Sequence, residues 1–254
     1  SENRDVALLF NGERYNFHEL KQELIALGIS FSSQSDTEVL LKLYLQHGID
    51  CIEHLIGMFA FIIVDTRPEH NCTYVVRDRL GIKPLFYHQN ENGYIFSSEV
   101  KSILALAKQK FSLNKRTVSS YLSYRYSILD ETFFDGIQNL TPGSYLHITD
   151  SGTTQQQYWQ LAEHVEENED KGEQYYLDKL DELLHSSIKY RMISDVPFGA
   201  YLSGGVDSSL VTAIMSKYTD EPLKTYTIGF SEEGYNEFDF ADTVAKIYNT
   251  DHKA

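Results

Sequence analysis

Residues 200–214 read AYLSGGVDSSLVTAI, and this stretch decides the fold of the second half of the chain. An apolar run leads into two glycines, and an acidic residue with two serines then opens an amphipathic segment. This pattern predicts a strand, a tight turn and a helix. In α/β folds the loop between such a strand and helix lies at the carboxyl edge of the sheet, where ligands bind. The stretch therefore predicts a ligand-binding loop.

The composition of this loop favours a polyphosphate ligand. Gly204 and Gly205 allow tight turns and a close approach of phosphate to the backbone, and the helix N-terminus adds free N–H donors. Asp207 would repel phosphate unless a cation lies between them, so we assign it to Mg²⁺. The alternative is a glycine turn followed by an ordinary Asp-Ser helix cap. Three hydroxyls would add hydrogen bonds to the ligand: Ser203, Ser208 and Ser209.

The loop SGGVDSS (203–209) lacks the Gly-Lys-Ser/Thr of a Walker A loop. It resembles instead the PP-loop of ATP pyrophosphatases, which cleave ATP between the α- and β-phosphates. The flanking segments alternate between helix and strand, which predicts a parallel α/β sheet. We expect a helix at 175–190, strands at 196–202 and 224–230, and a last helix near 240–248. The expected buried face of the first helix consists of Leu177, Leu180, Leu184 and Ile188.

The first half of the chain predicts a largely antiparallel sheet with two helices. One strand, DVALLF, runs into Asn11-Gly12, which we expect to form a turn. Helices are expected to begin after Asn16, with Glu19 in the first turn and Gly28 at the end, and after Ser35, with Glu38 reaching back to the cap. Further strands are expected at 58–65, 72–78, 83–88 and 93–98, with a hairpin in 140–152.

Composition excludes several classes of protein. The chain has 22 basic and 37 acidic residues, a formal charge of −15, so a nucleic-acid partner is disfavoured. It has no apolar run of the ~18 residues that a membrane span needs, and its start does not look like a signal peptide. Cys51 and Cys72 are too few for a disulfide scaffold, and both are expected to be packing residues. These features favour a cytoplasmic protein.

The acidic segment 163–173 interrupts the pattern and predicts an inter-domain linker. We expect a first domain at 1–160, a linker at 161–173 and the start of a second domain at 174–254. Two clear strands are too few for a stable parallel sheet, and the chain begins without Met. We therefore expect it to be an internal piece of a longer protein.

An ordered set of motifs in the first half resembles the glutaminase domain of glutamine-hydrolysing asparagine synthetases. The motifs are LLFNGERYNFHELKQEL, SDTEVLLKLYLQHG, LIGMFAFIIVD, VVRDRLGIKPLFY and FSSEVKSIL, and VPFGAYLSGGVDSSL and TYTIGF follow them. The resemblance implies an α+β N-terminal-nucleophile (αββα) sandwich joined to the start of a parallel α/β PP-loop domain.

The resemblance also implies roles for individual residues. Asn11 and Gly12 match the family's oxyanion hole, and Glu13 and Asp36 match residues that hold the zwitterionic head of glutamine. Without the resemblance, Asp36 would be interpreted as a first-turn carboxylate that serves the helix dipole. The implied ATP site consists of Leu202, Ser203, Gly204, Gly205, Val206, Asp207, Ser208, Ser209 and Ile228.

The chain departs from the family's pattern at several points. Arg14 stands where the family has an aliphatic residue. The family's nucleophile is an N-terminal cysteine, whereas residue 1 is serine in a segment that aligns downstream of that cysteine. The upstream arginine that grips the glutamine carboxylate is also missing. We expect Arg77, Asp78 and Arg79 to be ion-paired, without a chemical role.

The implied activity is glutamine-dependent, ATP- and Mg²⁺-consuming synthesis of asparagine from aspartate through a β-aspartyl-adenylate, with release of AMP and pyrophosphate. A homodimer is compatible with it. These residues alone are expected to lack glutaminase activity. Two alternatives stay open: a relative that amidates another carboxylate in a biosynthetic pathway, and a non-catalytic glutamine- or nucleotide-binding protein that has lost its nucleophile.

Overall fold

A computed structural model describes residues 1, 3–128, 130–165, 169–194, 196–229 and 236–254. The chain divides into two compact units, 1–167 and 168–254. The division falls inside the segment expected to be a linker, of which 166–168 lie outside the described residues. The domain boundaries 1–160, 161–173 and 174–254 stay a prediction. In the part of the chain that the structure describes, no helix is both long and apolar enough to cross a bilayer.

The first unit contains eight strands, four α-helices and two short 3-10 helices among its described residues. Its elements in chain order are β1 (Val6–Arg14), α1 (Phe17–Ala26), α2 (Asp36–His47), a 3-10 helix (Gly48–His54), β2 (Gly57–Asp65), β3 (Cys72–Arg77), β4 (Phe86–Asn90), β5 (Gly93–Ser97), α3 (Val100–Leu106), α4 (Lys115–Tyr124), β6 (Gln138–Asn139), β7 (Ser144–Thr149), β8 (Gly152–Gln157) and a 3-10 helix (Leu161–His164).

The strands of the first unit form two antiparallel sheets, ordered β1-β2-β3-β7-β8 and β5-β4-β6. One face of the larger sheet packs on α1 and α2 through a core that includes Leu24, Leu40 and Phe61. The other face meets the smaller sheet through Val75 and Leu85, and α3 contacts β4 and β5. Helices, two sheets and a helix therefore form four layers, as the αββα prediction requires.

Two helix starts differ from the expected capping. Asn16 is the N-cap of α1, but its side chain bonds to the backbone of His54 and Ile56 rather than to the helix. Ser35 does cap α2 by accepting from the N–H of Thr37. Glu38 instead accepts hydrogen bonds from Ser32 and Ser33, because the chain before the cap folds back within its reach.

The second unit is a three-stranded parallel sheet with helices. Its elements are α5 (Glu173–Arg191), β9 (Ala200–Tyr201), α6 (Val206–Met215), β10 (Lys224–Tyr226), α7 (Phe238–Tyr248) and β11 (Asp251–Lys253). The sheet order is β11-β10-β9, and both pairings are parallel. The core is built from Ile188, Ala200, Ile214, Met215 and Leu223. The expected α/β pattern is confirmed.

Some details of the second unit were predicted wrongly. The strands are shorter than expected, and the end of the second expected strand, Phe230, lies outside the described residues. Leu177 and Leu180 are more than half exposed, so only the second half of the predicted apolar face of α5, with Leu184 and Ile188, packs on the core. The short sheet covers only that half of the helix.

Candidate active sites

Asn11 and Gly12 lie inside strand β1 and do not form the expected turn. Nine residues of β1 pair with β2, and Gly12 lies opposite Phe59. This long ladder outweighs the local turn preference of Asn-Gly. Glycine is required here by packing, since a Cβ at Gly12 would come within 2.2 Å of the Met58 carbonyl oxygen.

The register of β1 determines where the Gly12 N–H points. The Tyr15 N–H donates to the Ile56 carbonyl, and the Thr66 N–H donates to the Asp5 carbonyl, so odd-numbered residues of β1 form the hydrogen-bonded pairs with β2. Because antiparallel pairs alternate, the N–H of Gly12 points away from β2. β1 is an edge strand in the sheet of the described residues, so this donor faces the sheet edge.

The Asn11 side chain projects from the same part of the strand. It is exposed, and its Nδ2 donates to the Ser98 hydroxyl at 3.1 Å. Asn11 and Ser98 line a cavity of about 170 Å³ between the two sheets, together with Phe96 and Leu85. Asn11 and Gly12 therefore supply a side-chain N–H and a backbone N–H at adjacent positions. Ser98 was not identified from the sequence, although it lies in the quoted FSSEV segment.

Glu13 and Asp36 lie on different elements. Glu13 is exposed on β1, and Asp36 is half-buried as the first residue of α2. Thr37 Oγ1 donates to the Asp36 carboxylate at 3.2 Å. Asp36 also acts electrostatically on Arg14, the neighbour of Glu13. Helix α2 contacts β1, and the position of Asp36 also fits a first-turn carboxylate.

Arg14 is a buried cation that has no hydrogen-bond partner among the described residues. Its side chain is 2% exposed, and Nε, Nη1 and Nη2 all lack partners among the described residues. Burial lowers the pKa of Arg14 to about 10, while Asp36 and then Cys51 act in the opposite direction. Arg77 gives the contrast, since it is buried but donates to the carbonyls of Gly81, Lys83 and Leu140 and to the Asn139 side chain.

The expected ion pairing of Arg77, Asp78 and Arg79 is wrong. Each charge bonds mainly to backbone, because the tight loop after β3 exposes carbonyl and N–H groups to these side chains. Arg79 donates to the carbonyls of Leu55 and Glu53. The Asp78 carboxylate accepts from four backbone N–H groups, one of them at Phe59 opposite Gly12. The loop therefore braces the strand beside the proposed oxyanion donors.

The second candidate site is the loop between β9 and α6. Gly204 has φ +79°, and a Cβ there would come within 2.4 Å of the Phe240 side chain on α7. Gly204 is therefore required by its conformation and by the close approach of α7. Gly205 is the N-cap of α6, and Val206 is the first residue of the helix. The first N–H groups of this helix have no intrahelical acceptors.

The Ser203 and Ser208 hydroxyls of this loop are hydrogen-bonded to each other, whereas Asp207 does not take part in this network. Ser208 Oγ lies 3.0 Å from Ser203 Oγ, and Ser203 Oγ accepts from the Gly205 N–H. Asp207 is exposed in the first turn and makes no hydrogen bond or ion pair with the described residues. Because Gly205 is the N-cap, the alternative of Asp207 as helix cap is wrong.

The remaining predicted nucleotide contacts differ in exposure. Ile228 is 68% exposed, whereas Leu202 is 1% exposed and packs with Ala241 and Ala245. The Leu202 N–H donates to the Tyr226 carbonyl, and the Leu202 carbonyl accepts from the Thr227 hydroxyl. Ile228 is thus open to a ligand, whereas Leu202 supports the loop from within the core.

Among the described residues, neither unit contains a cluster of side chains that could bind a metal ion without a further ligand. Across the residues that the structure describes, no three His, Cys, Asp or Glu side chains converge. A divalent ion would need further oxygen ligands, such as those of a polyphosphate. The exposed carboxylate of Asp207, at a helix N-terminus, fits that requirement.

Comparison with known proteins gives two family matches. Residues 1–159 match the model of the glutamine amidotransferase domain, and residues 179–254 match that of asparagine synthase. The chain therefore belongs to the class of glutamine amidotransferases. Within that class its two regions assign it to the asparagine synthetase family. The αββα fold class and the partial synthase region agree with the sequence-based prediction.

Relatives include a putative glutamine-hydrolysing asparagine synthetase of Methanocaldococcus jannaschii, 37% identical over 98% of this chain and 47% of its own. Asparagine synthetase 1 of Bacillus subtilis is 35% identical over 94% of this chain and 37% of its own. Amidase chry2 of Gibberella zeae is 30% identical over 97% of this chain and 38% of its own. The chain thus spans less than half the length of these relatives. The glutamine PRPP amidotransferase structure from B. subtilis, with ADP and GMP, superposes at TM-score 0.44 and 14% identity, over 99% of this chain and 71% of its own.

Proposed function

We propose that the full-length protein hydrolyses glutamine at the first site and uses the ammonia at the second to convert aspartate into asparagine. The observation that carries this proposal is that one chain holds two kinds of donor site. Gly12 and Asn11 present adjacent N–H groups suited to an oxyanion, and the Ser203–Ser209 loop presents a helix N-terminus suited to phosphates.

In the first reaction, the γ-amide of glutamine is split into glutamate and ammonia. The oxyanion of the tetrahedral intermediate accepts hydrogen bonds from Asn11 Nδ2 and the Gly12 N–H. Asp36 and Glu13 hold the substrate ammonium by charge. The family's N-terminal cysteine is the expected nucleophile.

In the second reaction, a β-carboxylate oxygen of aspartate attacks the α-phosphorus of ATP, and pyrophosphate leaves. Ammonia then attacks the acyl carbon, loses a proton and expels AMP. The loop serines and the α6 N-terminus bind the phosphates. Asp207, together with phosphate oxygens, would hold Mg²⁺, which neutralises phosphate charge.

Two substitutions in the full-length gene product test the separation of the sites. Asn11→Ala removes one oxyanion donor and should lower kcat for glutamine hydrolysis about 10²–10³-fold, with ammonia-dependent synthesis intact. Asp207→Asn should abolish pyrophosphate release with either nitrogen donor and leave glutamine hydrolysis near wild type. If either variant lost both activities together, the assignment of its residue to one site would be wrong.

Residues 1–254 on their own should not hydrolyse glutamine. Cys51 and Cys72 are free but buried, and burial raises the pKa of Cys51 to about 12, with Arg14 acting in the opposite direction. Neither thiol is therefore a nucleophile near neutral pH. Glutamate release by the purified 254-residue chain should stay at the uncatalysed background, and turnover above it would contradict this assignment.

The similarity to amidase chry2 favours a second candidate function, amidation of a carboxylate other than aspartate. The two candidates differ only in the acceptor. Measurement of AMP release with aspartate and with a panel of other carboxylates distinguishes them. The cytoplasmic location and the possible homodimer stay predictions for either candidate function.

A further inference from the structure

The side chain of Asn11 has one hydrogen-bond partner among the described residues, the hydroxyl of Ser98. Nδ2 of Asn11 donates to Ser98 Oγ at 3.1 Å, although 87 residues separate the two along the chain. Both side chains line the cavity between the larger and the smaller sheet. The contact therefore lies at the first candidate site and connects the two sheets that enclose it.

The hydrogen bond to Ser98 uses half of the donor capacity of Asn11. A side-chain amide nitrogen carries two hydrogens and can donate to two acceptors. Ser98 accepts from one N–H of Asn11, and the other N–H has no acceptor in the described part of the chain. The two N–H groups diverge in the plane of the amide, so a bond that fixes one also fixes the direction of the other.

An oxyanion donor needs such a restraint, because the terminal torsion of an asparagine side chain has only broad energy minima. Without a partner, the amide of Asn11 would sample many orientations, and some of them would present Oδ1 rather than Nδ2 to the oxyanion. A donor that is already oriented needs no reorganisation when negative charge develops in the transition state. The Ser98 hydroxyl thus supplies a restraint that the Asn11 side chain lacks elsewhere among the described residues.

Ser98 is itself held in place by its neighbours in the chain. The preceding residue, Ser97, is the last residue of β5 and pairs with Phe86 of β4. The Ser97 hydroxyl accepts from the Glu99 N–H at 3.1 Å, which fixes the turn into α3. Helix α3 is anchored by Ile103, which is fully buried. Ser98 therefore lies in a short turn that is fixed on both sides.

We propose that Ser98 is a positioning residue of the glutaminase site, whose hydroxyl orients Asn11 Nδ2 so that its second N–H points to the oxyanion. This inference rests on the proposed function and deepens it. Ser98 acts through Asn11 and does not bind the substrate. The backbone of Asn11 is fixed by its pairing with Ala60 in the ladder of β1 and β2, so the amide is the part that Ser98 has to orient.

The first test measures glutamine hydrolysis by the full-length gene product with substitutions at Ser98. Ser98→Ala removes one hydrogen bond and should lower kcat about 3- to 10-fold. KM should stay near wild type, because the oxyanion that Asn11 stabilises forms only in the transition state. Ser98→Thr keeps the hydroxyl and should restore most of kcat. A fall in kcat that threonine does not reverse, or that comes with a raised KM, would contradict a positioning role.

The second test is a double-mutant cycle that combines Ser98→Ala with Asn11→Ala. In the Asn11→Ala background no amide is left to orient, so Ser98→Ala should cause no further loss of kcat. An independent contribution of Ser98 would instead give the same 3- to 10-fold loss in both backgrounds, and that result would overturn the proposal.

Two controls accompany these variants. Ser102→Ala makes the same chemical change in α3 at a residue that does not line the cavity, and kcat should not change. Ammonia-dependent synthesis should stay at the wild-type rate in the Ser98 variants, because it takes place at the second site.

The outcomes distinguish this inference from the proposed function. If wild type is active, Asn11→Ala is impaired and Ser98→Ala has a normal kcat, the role of Ser98 alone is wrong. A wild type that hydrolyses no glutamine would overturn the proposed function, and the role of Ser98 with it.

Discussion

At the scale of single residues, Arg14 and Arg77 show that burial alone does not tell what a charge does. Both lie in the first unit and both are almost fully enclosed. Arg77 donates hydrogen bonds to the carbonyls of Lys83 and Leu140, so it stabilises the fold. Arg14 bonds to nothing among the described residues, so its charge costs stability.

Arg14→Leu should therefore leave the first unit as stable as before or up to about 4 kcal/mol more stable, since an apolar side chain replaces an unpaired buried charge. The matched control is Arg77→Leu. It leaves several buried carbonyl groups without a hydrogen-bond donor and should lower the free energy of unfolding by at least about 2 kcal/mol. Urea denaturation of the chain, followed by the fluorescence of Trp159, measures both. Equal destabilisation by the two substitutions would show that Arg14 has structural partners.

The oxyanion role of Asn11 and Gly12, which the family resemblance implies, stays a prediction, and the turn expected for these two residues was wrong. The dipeptide Asn-Gly favours a turn locally, and only pairing with β2 makes it part of a strand. The burial of Arg14 could not be predicted either, because the residues that act on it, Asp36 and Cys51, follow it by more than twenty residues. Ser98 was missed because its contact with Asn11 joins two different sheets.

At the scale of elements, a long apolar periodicity predicted helices and strands correctly, whereas short polar segments gave no sign of the strands that they form. Strands β2 and β3 and helix α2 have strong apolar patterns, and all three were predicted to within a residue or two of their bounds. Strand β11 was not, since Asp-His-Lys has no apolar signal and forms a strand by parallel pairing with β10. Its discovery gives the second unit a third strand.

The start of α2 is an element whose stability should depend on pH. Burial acts to raise the pKa of Glu38, but hydrogen bonds from the backbone and hydroxyl groups of Ser32 and Ser33 outweigh it and lower the pKa to about 2. A carboxylate with a depressed pKa stabilises the folded state above its unfolded pKa, about 4.5. This contribution is lost as the pH falls towards 2.

Glu38→Gln should therefore lower the free energy of unfolding at pH 7, and the difference from wild type should shrink between pH 4.5 and pH 3. Urea denaturation at a series of pH values measures this difference. Glu91→Gln, in the exposed turn between β4 and β5, is the control and should show no such trend. A difference for Glu38→Gln that stays constant from pH 7 to pH 3 would contradict the carboxylate's role.

At the scale of the whole molecule, the chain joins a four-layer amidotransferase unit to a parallel unit with a phosphate-type loop. Each unit has its own core and its own candidate site. The net charge of −15 does not oppose this function, because a helix N-terminus and a cation can bind a nucleotide on an acidic protein. Family matches in both units connect the chain to enzymes that combine these two regions.

The central claim is that the carboxylate acceptor is aspartate and that it is activated by adenylation. Its most direct test gives the full-length gene product ATP, Mg²⁺, glutamine and aspartate labelled with ¹⁸O in the β-carboxylate. We expect one labelled oxygen in each AMP, with asparagine and pyrophosphate formed in equal amounts, because AMP leaves with the carboxylate oxygen. Unlabelled AMP, label in inorganic phosphate, or no AMP with aspartate as acceptor would contradict it.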